Sequence, residues 1–219
     1  MLQKVFGPTY PKKPSRFRRV RSGYLGRLAF VIAFWACSII LLFAIYAFGP
    51  ALFQALRLDG ALSNVGEAGI NVLFLIGTIL GLAVINLIGQ RQLLIWSFVL
   101  TGLPLLFLGI VPQASAVAIP IAFGTYTLFL GGSQILQFVY PNELFPTEIR
   151  ATAVGIAAGL SRIAAAVGTF LVPLSLTGLG VGPTFLAAAV VTLLGLGVTL
   201  AFARETRGMD LHESSSLRH

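Results

Sequence analysis

The chain has 219 residues, of which 57% are hydrophobic and only 10% charged, and its formal net charge is +8. Soluble domains average roughly 45–50% apolar and about 25% charged residues, so this composition disfavours a water-soluble domain and predicts a protein embedded in lipid. The single cysteine, Cys37, and two tail histidines exclude a disulfide framework and offer no metal-binding cluster. We therefore expect no metal and no cofactor.

The first segment, residues 1–27, is basic and contains no acidic residue. It carries eight of the fifteen lysines and arginines of the chain. The apolar run that follows is about 22 residues long, which is too long for a secretory signal peptide. We predict a cytoplasmic segment at 1–27 and expect no nucleic-acid partner, with anionic lipid as the alternative ligand for these bases.

Six apolar runs follow, each long enough to cross a hydrocarbon core of about 30 Å as a helix. Glycine and proline predict the breaks between them, among them Gly49-Pro50 and Pro141 with Pro146. The fold class is therefore all-α integral membrane, with a transmembrane domain at 28–203 and a cytoplasmic tail at 204–219. The predicted spans are 28–49, 68–88, 92–111, 115–139, 151–175 and 181–203.

Basic residues in the loops predict the orientation of these spans. If the N-terminus is cytoplasmic, fourteen of the fifteen bases lie inside and only Arg57 lies outside. We therefore expect a multi-pass protein of the cell (plasma or inner) membrane with both termini in the cytoplasm.

Polar residues distinguish the helices from one another. The third and sixth runs are nearly devoid of polar side chains and could face lipid all round, whereas runs one, two and four are predicted to line a cavity. The fifth run contains Gly155 and Gly159 in GxxxG spacing, which favours close helix packing over a direct role in ligand binding.

A polar stretch, PNELFPTEIRATAVG at residues 141–155, interrupts the apolar pattern between the fourth and fifth runs. Pro141 and Pro146 are predicted to end the fourth helix, because proline lacks the amide that a helix interior needs. Glu143 and Arg150 are either solvated interface charges or ion-pair partners that hold one conformation and release in another.

This stretch resembles the loop between helices ten and eleven of major facilitator superfamily transporters, with the ExFPTxxRxxxxG pattern of sugar porters and metabolite:proton symporters. NLIGQRQLL, residues 86–94, is similar to the turn between helices eight and nine, although Asn86 stands where the family has aspartate. RETRGMDLHE, residues 204–213, is similar to the tail after helix twelve. The resemblance covers essentially the whole chain and implies only the C-terminal half of a twelve-helix fold.

The resemblance implies secondary-active transport of a small organic solute across a lipid bilayer. The QQxSGIN signature of sugar porters is absent, which disfavours hexose and leaves organic or aromatic acids, sugar-like compounds or other metabolites as cargo. The cytoplasmic gate is expected to involve Glu143, Arg150, Arg162 and Arg91. Arg162 is either a partner of Glu143 or Glu148 or a snorkelling interfacial base.

Amide and phenol groups can hold a polar solute without the cost of burying a charge. The predicted substrate contacts on these grounds are Tyr46, Asn71, Tyr126, Gln134 and Gln137. For each of them a hydrogen bond between helices is the alternative role.

The chain is expected to be incomplete alone, with a missing N-terminal six-helix half as its partner. The alternative is a membrane module that does not transport and whose basic N-terminal segment binds lipid or a partner. An intramembrane enzyme is not expected, because the predicted spans contain neither a GxSG motif nor an aspartate.

Overall fold

The computed structural model describes residues 24–55, 61–113, 115 and 117–203 of the chain. Within these ranges the secondary structure consists of six α-helices and no strand. The tail at 204–219 and the basic segment, except for Tyr24 to Arg27, lie outside the described residues.

All six helices are long and apolar enough to cross a membrane. The shortest has 21 residues, which gives a length of about 32 Å at 1.5 Å per residue. Helices satisfy their backbone hydrogen bonds internally, which lipid requires. In chain order they are α1 (Leu25–Ala55), α2 (Ala61–Ile88), α3 (Gln90–Ile110), α4 (Ala118–Leu144), α5 (Thr147–Gly178) and α6 (Val181–Phe202).

One predicted helix break is wrong and a second is right only in part. Helix α1 continues through Gly49-Pro50 to Ala55, and α4 continues through Pro141 to Leu144, so that the break occurs at Pro146 and not at Pro141. Pro141 removes only its own amide donor, and α4 continues for three residues beyond it. The amide of Asn142 also donates to the Phe138 carbonyl at 2.6 Å. The chain turns at Phe145, whose backbone is extended, and α5 begins directly after Pro146.

The helix pairs show an internal two-fold pattern. The extensive contacts join α1 with α5 and α6, α4 with α2 and α3, and α3 with α6. Exchanging the first three helices for the last three reproduces the same set of pairs. The two sequence neighbours α2 and α3, like α5 and α6, touch only slightly.

Glycines allow α2 and α4 to cross at close range. A Cβ built on Gly131 would lie 2.6 Å from both the carbonyl oxygen of Phe74 and the backbone nitrogen of Thr78. A Cβ on Gly77 would overlap the Leu128 carbonyl, and Gly81 faces Gly132 in the same way. The GxxxG spacing that packs within the described chain is therefore the one in α2, whereas no atom lies within 4 Å of a Cβ on Gly155 or Gly159.

The expectation that the third and sixth helices face lipid all round is also wrong. Helix α3 packs between α4 and α6, and the buried ring of Phe98 lies against Gly195 of α6. The hydroxyls of Thr192 and Thr199 turn back to carbonyls of their own helix, which makes these threonines acceptable at a buried interface. Helices α2 and α5 are instead the most exposed of the six, with large apolar side chains such as Leu75, Ile79 and Phe170 more than half exposed.

Candidate functional site

Hydrogen bonds from α4 side chains to α1 carbonyls define a polar α1–α4 seam in the middle of the bundle. The hydroxyl of Tyr126 donates to the Leu41 carbonyl, and the amide of Gln134 donates to the Ser38 carbonyl at 3.0 Å. Tyr126 is fully buried and Gln134 nearly so. A carbonyl oxygen has two lone pairs, so these bonds can add to the helical bond of α1. Two predicted substrate contacts therefore join helices in this conformation.

Helices α1 and α4 also contain buried donors without partners. The amide nitrogen of Gln137, the indole nitrogen of Trp35 and the hydroxyl of Ser38 make no hydrogen bond to any described residue. Gln137 follows Gln134 by about one turn, and Trp35 precedes Ser38 by about one turn. Because α1 and α4 run antiparallel, both steps lead toward the same end of the bundle. An unpaired buried donor costs about 1–3 kcal/mol, so the seam is suited to an oxygen acceptor from outside the chain.

Neither Trp35 nor Ser38 was predicted as a substrate contact, although Ser38 is one of the polar residues that marked the first helix as a cavity liner. Trp35 and Ser38 are three positions apart in FWACS, as Gln134 and Gln137 are. This shared spacing was the sequence signal that both residues lie on one helix face. The signal was weak because a tryptophan and a serine in an apolar run are also typical of ordinary helix packing.

The other two predicted contact residues lie apart from the unpartnered donors. Tyr46 is 59% exposed and lies about two turns from Ser38 along α1. Asn71 is exposed on α2, and its amide donates to the Glu67 carbonyl of its own helix at 2.9 Å. The structure thus brings together Tyr126, Gln134 and Gln137 and leaves Tyr46 and Asn71 outside the seam.

The α4–α5 loop contains the charged motif. Phe145 is fully buried, and its carbonyl accepts a hydrogen bond of 3.1 Å from Nε of Arg150 on α5. Glu143 is half-buried in the last turn of α4, next to Leu144. Glu143 and Arg150 therefore lie on either side of one short connection. We call residues 141–150, which comprise the end of α4, the connection and the start of α5, the charged loop.

The remaining two predicted gate arginines lie elsewhere. Arg91, at the start of α3, donates through Nη2 to the Leu200 carbonyl near the end of α6 at 3.4 Å. Arg162 is exposed on α5, and fourteen helical residues separate it from Glu148, a rise of about 21 Å. The structure does not bring Arg162 to the charged loop.

Two apolar cavities lie next to the helix pairs that make few contacts, α5 with α6 and α2 with α3. One, of about 660 Å³, is lined by α1, α5 and α6 around Ala44, Gly168 and Ala188. The other, of about 220 Å³, is lined by α2, α3 and α4 and narrowed by Trp96 and Phe129. Polar groups that could orient a solute are nearly absent from both linings, so neither resembles a site for a polar cargo.

No group of three or more histidine, cysteine, aspartate or glutamate side chains that could hold a metal ion occurs among the described residues. The polar chemistry described above is therefore that of neutral donors on α1 and α4, of arginines at one end of the bundle, and of the exposed Arg162 midway along α5. Such groups bind and orient a solute, and they offer no activated nucleophile or paired acid and base.

Comparison with known proteins shows the family to which the chain belongs. The family model for "Sugar (and other) transporter" matches residues 14–217, so the chain belongs to that family of membrane transporters. It is 42% identical over 224 residues to "Putative metabolite transport protein YaaU" of Escherichia coli, a match that covers 99% of this chain and 51% of the relative.

Two further relatives are more distant. "Inner membrane metabolite transport protein YgcS" of Escherichia coli is 34% identical over 87% of this chain and 42% of its own length. "Glucose transporter GlcP" of Staphylococcus epidermidis is 27% identical over 89% of this chain and 45% of its own length. The chain thus spans about half the length of the curated relatives it matches. Its six helices correspond to one half of a twelve-helix major facilitator fold, and it is a transporter-family protein rather than an enzyme.

Proposed function

We propose that the chain is the C-terminal half of a secondary-active carrier for a small organic solute and that it works with a second six-helix half. The observation that supports this proposal is that three buried donors on α1 and α4, those of Gln137, Trp35 and Ser38, have no partner among the described residues. Carriers of this kind place their substrate near the membrane midplane between two halves that rock around it. We propose that a cargo oxygen binds these donors, of which Gln137 lies about 10 Å from the end of α4 at Leu144.

The proposed cargo carries hydroxyl or carboxylate oxygens. The unpartnered atoms of the seam include an amide, an indole and a hydroxyl, all of which can donate to such oxygens. The names of the relatives refer to metabolites and to glucose, which supports a small oxygen-rich solute without selecting one. Tyr46 and Asn71 are proposed as further contacts that the second half would enclose.

The proposed second half covers α2 and α5. Both helices expose large apolar side chains along their length, and α5 presents Gly155 and Gly159 with open space above them. Small residues on a helix face permit close approach of another helix in lipid. Among the described acids, Glu67 lies near the start of α2, and Glu143 and Glu148 lie within the charged loop. We therefore place any proton-coupling acid of the midplane on the second half.

The proposed orientation has the charged loop in the cytoplasm of the cell. Arg27, Arg91 and Arg150 all lie at this end of the bundle, because each precedes or opens an odd-numbered helix. Basic residues concentrate on the cytoplasmic side of membrane proteins. Both chain termini would then be cytoplasmic, and Glu143 and Arg150 would close the inner gate against charges of the second half.

The experiment that tests the site compares Gln137→Leu with Gln134→Leu in the two-half carrier. Gln134 makes a hydrogen bond across the seam, so its loss should lower the free energy of unfolding by about 1 kcal/mol. Gln137 has an unpartnered donor, so Gln137→Leu should leave stability unchanged or raised while it abolishes uptake. Uptake of labelled benzoate and labelled glucose into proteoliposomes provides an acidic and a neutral probe. Where the parent carrier transports one of these probes, normal uptake of that probe by the Gln137→Leu variant would contradict the proposal.

A further inference from the structure

The end of helix α4 is held by an arginine from another helix. Nη1 of Arg27, in the first turn of α1, donates to the Leu144 carbonyl at 2.8 Å. Leu144 is the last residue of α4, where carbonyls have no partner within their own helix and the helix dipole is negative. A guanidinium at this position donates to a free carbonyl, and its positive charge also offsets the negative end of the α4 helix dipole.

The same arginine also contacts an aromatic cluster around the charged loop. Its guanidinium carbon lies 5.4 Å from the centre of the Tyr24 ring, and that ring lies 6.3 Å from the ring of Phe145. Phe145 is fully buried, and its carbonyl is the one that Arg150 binds. Two consecutive carbonyls at the end of α4 are therefore held by arginines from two different helices, α1 and α5.

We propose that Arg27, supported by Tyr24, is a positioning residue of the gate. It fixes the end of α4 to the start of α1 and thereby sets the position of Glu143, which immediately precedes Leu144. The inference rests on the proposed carrier function, because it assigns a role within the gate of that carrier. We call the contact among Arg27, Tyr24, Leu144 and Phe145 the α1 latch.

An arginine suits the α1 latch better than a lysine. The guanidinium is planar and can donate to a carbonyl in its plane while its face lies on an aromatic ring. A lysine keeps the charge near the helix dipole but loses the planar contact with Tyr24. Loss of the whole charged hydrogen bond should increase the fraction of molecules with a displaced charged loop by about tenfold.

Maleimide labelling of a single cysteine measures this displacement without any solute. Cys37→Ser removes the only native cysteine, and Leu144→Cys places a reporter immediately after Glu143 at a position that is only 2% exposed, so that labelling requires displacement of the charged loop. A second reporter, Thr184→Cys, lies near the start of α6 at the opposite end of the bundle and is equally buried. Both reporters are made in the full chain in liposomes and treated with a maleimide that crosses the bilayer.

We expect Arg27→Gln to raise the labelling rate at position 144 by about tenfold and to leave the rate at position 184 unchanged. Arg27→Lys should give a rate between those of the parent and Arg27→Gln. Tyr24→Phe, which keeps the ring, should label as the parent does, whereas Tyr24→Leu should label faster.

An unchanged rate at position 144 would overturn the inference. An equal increase at position 184 would do the same, because it would show general loosening of the bundle. Failure of the proposed transport would leave the labelling result standing, since the assay contains no cargo. Conversely, a carrier that transports with unchanged labelling in Arg27→Gln would refute the α1 latch alone.

Discussion

The close crossing of α2 and α4 predicts opposite effects for the same substitution at two kinds of glycine. Gly131→Ala places a methyl group 2.6 Å from the Phe74 carbonyl oxygen and the Thr78 backbone nitrogen. Both atoms belong to the backbone and cannot rotate away, so overpacking should cost about 3 kcal/mol. Alanine recovers about 1 kcal/mol of helix propensity relative to glycine. The expected net loss is about 2 kcal/mol.

Gly155→Ala is the matched control for this prediction. No atom lies within 4 Å of the added methyl group, so only the gain in helix propensity of about 1 kcal/mol remains. Thermal unfolding in detergent, followed by circular dichroism, measures both variants. For a chain of this size 1 kcal/mol corresponds to roughly 2–4 °C in Tm, so the two variants should shift in opposite directions. A Gly131→Ala variant as stable as the parent, or an equal loss in Gly155→Ala, would refute the described crossing.

Three further predictions concern the seam and the gate. Tyr126→Phe removes the hydrogen bond to the Leu41 carbonyl and should lower the free energy of unfolding by about 1 kcal/mol, whereas Tyr46→Phe at an exposed position should leave Tm unchanged; equal shifts would contradict the seam. Glu143→Gln should weaken inner closure, measured as faster maleimide labelling at position 144, only when the second half is present; the same effect in the chain alone would count against the gate. Arg91→Gln removes the hydrogen bond to the Leu200 carbonyl and should lower Tm by a few degrees, as measured by thermal unfolding, while labelling at position 144 stays unchanged; faster labelling there would show that Arg91 also holds the charged loop.

The sequence predicted the number of helices and the class of protein because both depend on local properties. A run of about 20 apolar residues has few alternatives in lipid, and the charged loop has a long, specific pattern. Helix ends were less predictable. Pro141 was expected to stop α4, but proline removes only its own amide donor, and Asn142 supplies a side-chain hydrogen bond to the Phe138 carbonyl there.

Partner choice among the helices could not be predicted from the sequence. Gly155 with Gly159 and Gly77 with Gly81 have the same GxxxG spacing, yet only the second pair meets another described helix. Likewise, low polarity made α3 look lipid-facing, although its apolar face packs against α6. Composition reports what a face can contact, whereas the contact itself depends on the three-dimensional arrangement of all six helices.

The candidate site was predicted in part. Amide and phenol groups of α4 were identified because polar groups are rare at membrane depth, and three of them do lie on one seam with α1. Trp35, Ser38 and Arg27 were missed because each is an unremarkable residue in its local sequence. Their significance comes from unpartnered atoms and from a hydrogen bond across 117 positions of the chain, which only the fold reveals.

We propose above that this chain is one half of a carrier and that it needs a second, different half. The most direct test is to co-express it with the tagged remainder of the Escherichia coli relative that is 42% identical, the part this chain does not cover. Native mass spectrometry of the complex extracted from the membrane then gives its stoichiometry. We predict one copy of this 23.3 kDa chain for each copy of the tagged remainder, with the complex lost when Leu75 and Ile79 on α2 are replaced by arginine. Recovery of this chain only as a monomer or as a pair of its own copies would contradict the account.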